Sequence, residues 1–86
     1  MIENINMAYY RKEDWSRFVS SVDDKENLHA TWEEWHESYM KAKRHLTLEG
    51  FIIHDFVVEL DELKDYCKRR AIKNDGKARS QFVSNR

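Results

Sequence analysis

The sequence predicts a mostly helical α+β fold, a small single domain over residues 1–86 with about four helices and one or two short strands. Three observations predict it. Apolar residues recur at helical spacing in several separate stretches, a β-branched run follows Gly50 at 51–58, and the chain holds two glycines and no proline. With so little punctuation, Pro-rich recognition segments are excluded and long flexible linkers are not expected. At 86 residues only a modest share of the surface becomes buried, so the core needs large side chains. Three Trp, four Tyr and four Phe supply them, each worth roughly 150–250 Å² of burial.

Near the N-terminus, Ile5, Met7 and Tyr9 alternate with Asn6, Ala8 and Tyr10, the pattern of a short strand or an ordered arm over 5–10. Trp15, Phe18, Val19 and Val22 then form a helical stripe within 12–22. That helix should stop at Asp23-Asp24, because acidic side chains oppose the negative end of the helix dipole. Residues 23–30 read as a polar connection anchored by Leu28. Thr31 and Glu34 form a T-x-x-E capping box, which satisfies free backbone donors at a helix start. From there Trp32, Trp35, Tyr39, Ala42 and Leu46 continue as one apolar stripe, with acid crowding the first turns and base the last.

Gly50 ends that pattern. Residues 51–58 are rich in Ile, Val and Phe and read as a strand, although Ile52, Phe56, Leu60, Leu63 and Cys67 would also fit one face of a helix from 51 to 70. A single strand cannot stand alone; its partner is either segment 5–10 or a second copy across a dimer. A helix over 62–70 with Asp61 as N-cap, a turn at 72–76, and a short helix 76–83 capped by Asp75 complete the chain. Phe82 and Val83 should tuck into the core, and Ser84-Asn85-Arg86 should fray.

Charge is sorted along the chain. Residues 1–63 carry 7 Lys/Arg against 14 Asp/Glu, whereas residues 64–86 carry 8 against 2, and the two nearly cancel in a formal charge of −1. A basic end of this kind attracts phosphate or acidic surfaces at long range. Its candidate contact residues are Lys68, Arg69, Arg70, Lys73, Lys77 and Arg79, bracketing the turn of a helix–turn–helix over 60–86. Backbone amides at the start of the second helix would add to a phosphate site. The competing interpretation pairs these bases with the acidic two thirds of the same molecule.

Leu60, Leu63-Lys64, Cys67-Lys68-Arg69-Arg70, Ile72 and Gly76-Lys77 resemble the SAP-type helix–extension–helix DNA-binding module. Ala71 stands where that module has glycine, Lys73 where proline is common, Ala78 where lysine is expected and Gln81 where leucine packs. The resemblance covers residues 60–86 and implies phosphate contacts from Lys68, Arg69, Lys73, Lys77 and Arg79.

Other constellations carry less chemistry. Two Glu-x-x-His spacings, Glu26/His29 and Glu33/His36, have the spacing seen in di-iron bundles. On one continuous helix, however, they would stand about 10 Å apart along the axis, and the Thr31 cap places the first outside the helix, so no metal or cofactor is assigned. Cys67 lies on an apolar stripe and reads as a packing residue. His54 and Asp55 would face opposite sides of a strand and form no dyad. The Trp32/Trp35/Tyr39 stripe reads as core, with an aromatic ligand surface as its alternative. No phosphate loop, nucleophile triad, CxxC or HExxH is present. The expectation is therefore a non-catalytic binding module that works through protein contact, as a homodimer or with another protein, with nucleic-acid binding through 64–79 as the alternative. No apolar run reaches membrane-spanning length, the N-terminus lacks the pattern of a signal peptide, and one cysteine fits a reducing, cytoplasmic setting.

Overall fold

In the computed structural model, which describes residues 3–84, the order is β1 (Asn4–Tyr9), α1 (Trp15–Ser21), α2 (Trp32–Leu48), β2 (Ile52–Val57), α3 (Leu60–Arg70) and α4 (Gly76–Ser84). Single 3-10 turns precede α1 at Lys12–Asp14 and lie between α1 and α2 at Lys25–Asn27. This is the expected mostly helical α+β domain. Asn85 and Arg86, at the end where fraying was expected, lie outside the described residues.

Segment 5–10 is the partner of the second strand. β1 and β2 pair in parallel, in register from Asn4 opposite Ile52 to Tyr9 opposite Val57. Parallel strands require a long crossover, and α1 and α2 provide it. Side chains alternate across the sheet. Asn6 and Phe56 face α4: Asn6 Nδ2 donates to the Val83 carbonyl at 3.1 Å, and the Phe56 ring meets Phe82 edge-on. Tyr9 and Asp55 face α2, where Tyr9 packs edge-on against Trp35 and Tyr39, while Tyr39 and Lys43 both bind the Asp55 carboxylate. The sheet is thus a thin middle layer between α2 and α4.

The core forms where these layers meet α1 and α3. Phe18, Val58 and Leu63 are its most deeply buried large residues, with Tyr10 stacked on Phe18 at 4.1 Å between ring centroids. Phe82, Val83 and Cys67 are buried with them, as expected. The α2 stripe is the element that departs from expectation. Thr31 does cap the helix, its hydroxyl accepting from the Glu34 amide at 3.2 Å. Along the helix, however, only Tyr39 is fully buried; Trp32 and Trp35 are half-buried against the core, and Ala42 is exposed. The reason is length: seventeen residues of α2 overhang a two-stranded sheet, so Leu48 near its end is 81% exposed.

α3 begins two residues earlier than its local signals indicate, at Leu60 with Glu59 as N-cap rather than Asp61. Burial of Leu60 rewards that extra half-turn. The helix ends at Ala71 in the left-handed conformation, φ 53° and ψ 44°, with its amide bonded to the Lys68 carbonyl at 3.2 Å. Left-handed geometry costs a residue with a Cβ about 1–2 kcal/mol. Ala71 is exposed, so Ala71→Gly should stabilise the domain by about 1 kcal/mol and raise its melting temperature by about 4–8 °C; thermal unfolding by circular dichroism checks this.

Candidate functional site: the basic helix pair and a groove beside β1

α4 holds its place through a charge cluster that joins the two oppositely charged parts of the chain. The Arg79 guanidinium forms a bidentate pair with Asp24, both contacts at 2.9 Å, and also donates to the Asn74 carbonyl at 3.0 Å. Both side chains are largely shielded, 10% and 15% exposed, and the guanidinium lies 5.4 Å from the Phe18 ring centroid. Asp23 completes the cluster: its carboxylate accepts from the Asn74 amide at 2.8 Å, and its own amide donates to the Asn74 carbonyl at 3.0 Å. The pair with Arg79 holds the Asp24 carboxyl below the usual carboxylate range.

This cluster divides the six basic residues singled out above. Arg79 points inward and contributes nothing to an exposed phosphate-binding face. The other five are exposed. Lys68, Arg69 and Arg70 occupy the last turn of α3, where positive charge complements the helix dipole. Arg69 pairs with Asp65 at 2.8 Å and Arg70 lies 3.9 Å over the Tyr66 ring. Lys73 and Lys77 flank a shallow depression of about 360 Å³ with Ile72 on its wall. Amides at the start of α4 are already engaged by carboxylates: Gly76 N–H donates to Asp24 at 3.2 Å and Ala78 N–H to Asp75 at 3.0 Å. Asp75 therefore caps the helix as its position suggested, and the caps take up donors that the phosphate-site reading needed.

A second, larger concavity was not foreseen from the residues. It is an open groove of about 580 Å³, within the usual range of about 300–1,000 Å³ for ligand sites. Four consecutive residues of β1, Ile5 to Ala8, line it, and no residue of β2 does. Consecutive strand residues point to opposite faces, so the groove runs along the β1 edge that faces away from β2. Trp35, Ser38 and Tyr39 of α2 form one wall, and Gly76, Ser80 and Ser84 of α4 line the other.

The ladder fixes what β1 presents there. Ile52 N–H donates to the Glu3 carbonyl and Val58 N–H to the Tyr9 carbonyl, both at 2.9 Å. Odd-numbered residues of β1 therefore turn their backbone groups toward β2, and Asn6 and Ala8 turn theirs into the groove. Two signals in the sequence pointed this way: the alternation at 5–10, and the four-residue spacing of Gly76, Ser80 and Ser84, which puts small side chains along one helix face.

Of the remaining candidates, His29 is exposed and lines the same groove. Glu26 is exposed in a 3-10 turn, Glu33 pairs with Lys12 at 2.7 Å, and His36 stacks on Trp32 with ring centroids 4.5 Å apart. Among the described residues, no three His, Cys, Asp or Glu side chains come together as metal ligands. Cys67 is buried, and burial pushes its thiol upward, away from the reactive thiolate. His54 bonds Asn4 at 2.9 Å, while Asp55 turns to α2. Among the described residues, no helix is long and apolar enough to cross a membrane.

No family model, curated protein or solved structure matches the chain.

Removing one partner of a shielded ion pair strands the other charge, so Arg79→Met should destabilise the domain by about 3 kcal/mol in urea unfolding. Because folding lowers the Asp24 carboxyl below its unfolded value, its contribution is complete above the ordinary carboxylate range and is lost as pH falls toward the lower folded value. Asp24→Asn should accordingly flatten the acid limb of the stability–pH curve. An unchanged acid limb would show that the cluster contributes nothing to folding.

Proposed function

We propose that this chain is a non-catalytic binding module that acts through protein contact, and that the groove along β1 is its contact surface. One observation carries the proposal: the open groove beside β1 exposes strand backbone groups that the two-stranded sheet leaves without a neighbouring strand. Exposed sheet edges are sites at which another chain adds, and proteins usually cover or charge them. Here the edge is recessed but open. The permanently charged side chain on its wall, Arg79, is already paired with Asp24. Half-buried Trp35 and buried Tyr39 give one wall the aromatic character common at protein interfaces.

A second reading, nucleic-acid binding, draws on the five exposed bases around the α3–α4 turn and on the resemblance of residues 60–86 to the SAP-type module. The inward turn of Arg79 and the carboxylate caps at the start of α4 leave it with fewer phosphate donors than the sequence suggested.

The two readings separate by substitution. Ser80 is exposed on the groove wall, so Ser80→Trp should fill the groove at a stability change within about 0.5 kcal/mol. In crosslinking pull-downs, proteins captured by the wild type should be lost on Ser80→Trp and retained on Lys73→Ala/Lys77→Ala. The reverse pattern, together with duplex-DNA binding that collapses as salt rises, would replace the groove with the basic face.

A further inference from the structure

We propose that the β1 groove accepts an uncharged extended peptide of another protein as a third strand of the sheet; this rests on the groove being the contact surface. The chemistry of the edge selects the occupant. Asn6 and Ala8 direct their N–H and C=O groups into the groove at alternate positions, the spacing that a strand meets and a helix does not. From Asn4 to Ala8 the edge spans about 13 Å, room for four or five extended residues.

The walls set the side chains. Residues of the incoming strand that point toward α4 meet Gly76, Ser80 and Ser84, small groups that leave space for β-branched or other apolar side chains. Those that point toward α2 meet Trp35 and Tyr39, which favour apolar and aromatic contacts. Arg79 is already paired with Asp24 and the other titratable base on the lining is His29, so among the described residues the groove offers no free permanent charge to a carboxylate or an ammonium, and burying one there is unfavourable.

The same recess disfavours a second copy of this chain. A partner copy carries its own β1 edge at the bottom of the same groove. Two such edges cannot approach to the roughly 4.8 Å of paired strands without driving α2 or α4 of one molecule into the other. Pairing β1 with β2 of another copy would repeat head to tail, giving open chains rather than a closed dimer.

The test uses the full-length protein and a library of seven-residue peptides displayed on phage. Enriched sequences should be uncharged at consecutive central positions, and synthetic versions should shift the amide resonances of Asn6 and Ala8. Methylating the peptide nitrogens that face β1 should weaken binding at least about tenfold by removing donors and blocking approach, whereas methylating the alternate nitrogens should not. This control leaves the protein unaltered. Equal loss from both methylation patterns would overturn strand addition, as would shifts confined to α3 and the α3–α4 turn. No enrichment, with pull-down capture still sensitive to Ser80→Trp, would also overturn strand addition while the groove reading stands. No enrichment with capture insensitive to Ser80 would remove both. Concentration-dependent chain growth in light scattering would overturn the choice of occupant in favour of a second copy.

Discussion

The contact between Arg79 and Asp24 is the constraint on which the rest of the molecule depends. α4 is a short helix that buries Ala78, Phe82 and Val83 in the core. The guanidinium fixes it at a point remote in sequence, tying the start of α4 and the preceding turn to the connection between α1 and α2. Phe18 beneath the guanidinium helps exclude water, which strengthens the pair and raises the cost of breaking it. The sorted charge of the chain, so conspicuous in the sequence, is thus partly internal: one of the eight basic residues of the C-terminal segment is used to close the fold.

That closure has a geometric consequence. With α4 held on one face of the sheet and α2 on the other, the two helices flank β1 on both faces and leave its far edge in a trough. Asp55 helps hold the opposite wall, binding both Tyr39 and Lys43; the Lys43 ammonium, then the Tyr39 hydroxyl, lower its carboxyl. Burial and this bond to Asp55 in turn raise the Tyr39 hydroxyl above its ordinary value. Both walls are therefore anchored by charged groups at some distance from the groove floor, and the floor itself is backbone. A surface of this kind recognises the shape and hydrogen-bonding period of a chain more than its charge.

What the sequence revealed, and what it withheld, follows the range of the interactions. α2 was legible because its signals are local: Thr31 and Glu34 lie three residues apart and do form the cap. The strand at β2 was legible from Gly50 and the β-branched run, and segment 5–10 was one of its two candidate partners; choosing it over a second copy, and its parallel register, was not legible, since the pairing joins residues some fifty positions apart. Asp23-Asp24 could be read only as the end of a helix, whereas their role is to receive Asn74, Gly76 and Arg79 from the other end of the chain. The same gap placed Arg79 on the outside. The α2 stripe included Ala42, which is exposed, because periodicity shows which face can be buried, not whether a neighbour exists to bury it; Lys43 still reaches Asp55 of β2, and the helix overhangs the sheet toward Leu48. The groove escaped notice because it is made of backbone, which residue types do not display.

The central claim is that β1 has one bonded edge and one open edge. Amide hydrogen exchange of the free protein, resolved residue by residue, tests it most directly. The amides of Ile5, Met7 and Tyr9 point to β2 and should exchange slowly, while those of Asn6 and Ala8 should exchange far faster, giving an alternating pattern along a single strand. Protection of Asn6 and Ala8 equal to that of their neighbours would mean that the edge is already closed within the chain, and would contradict the account.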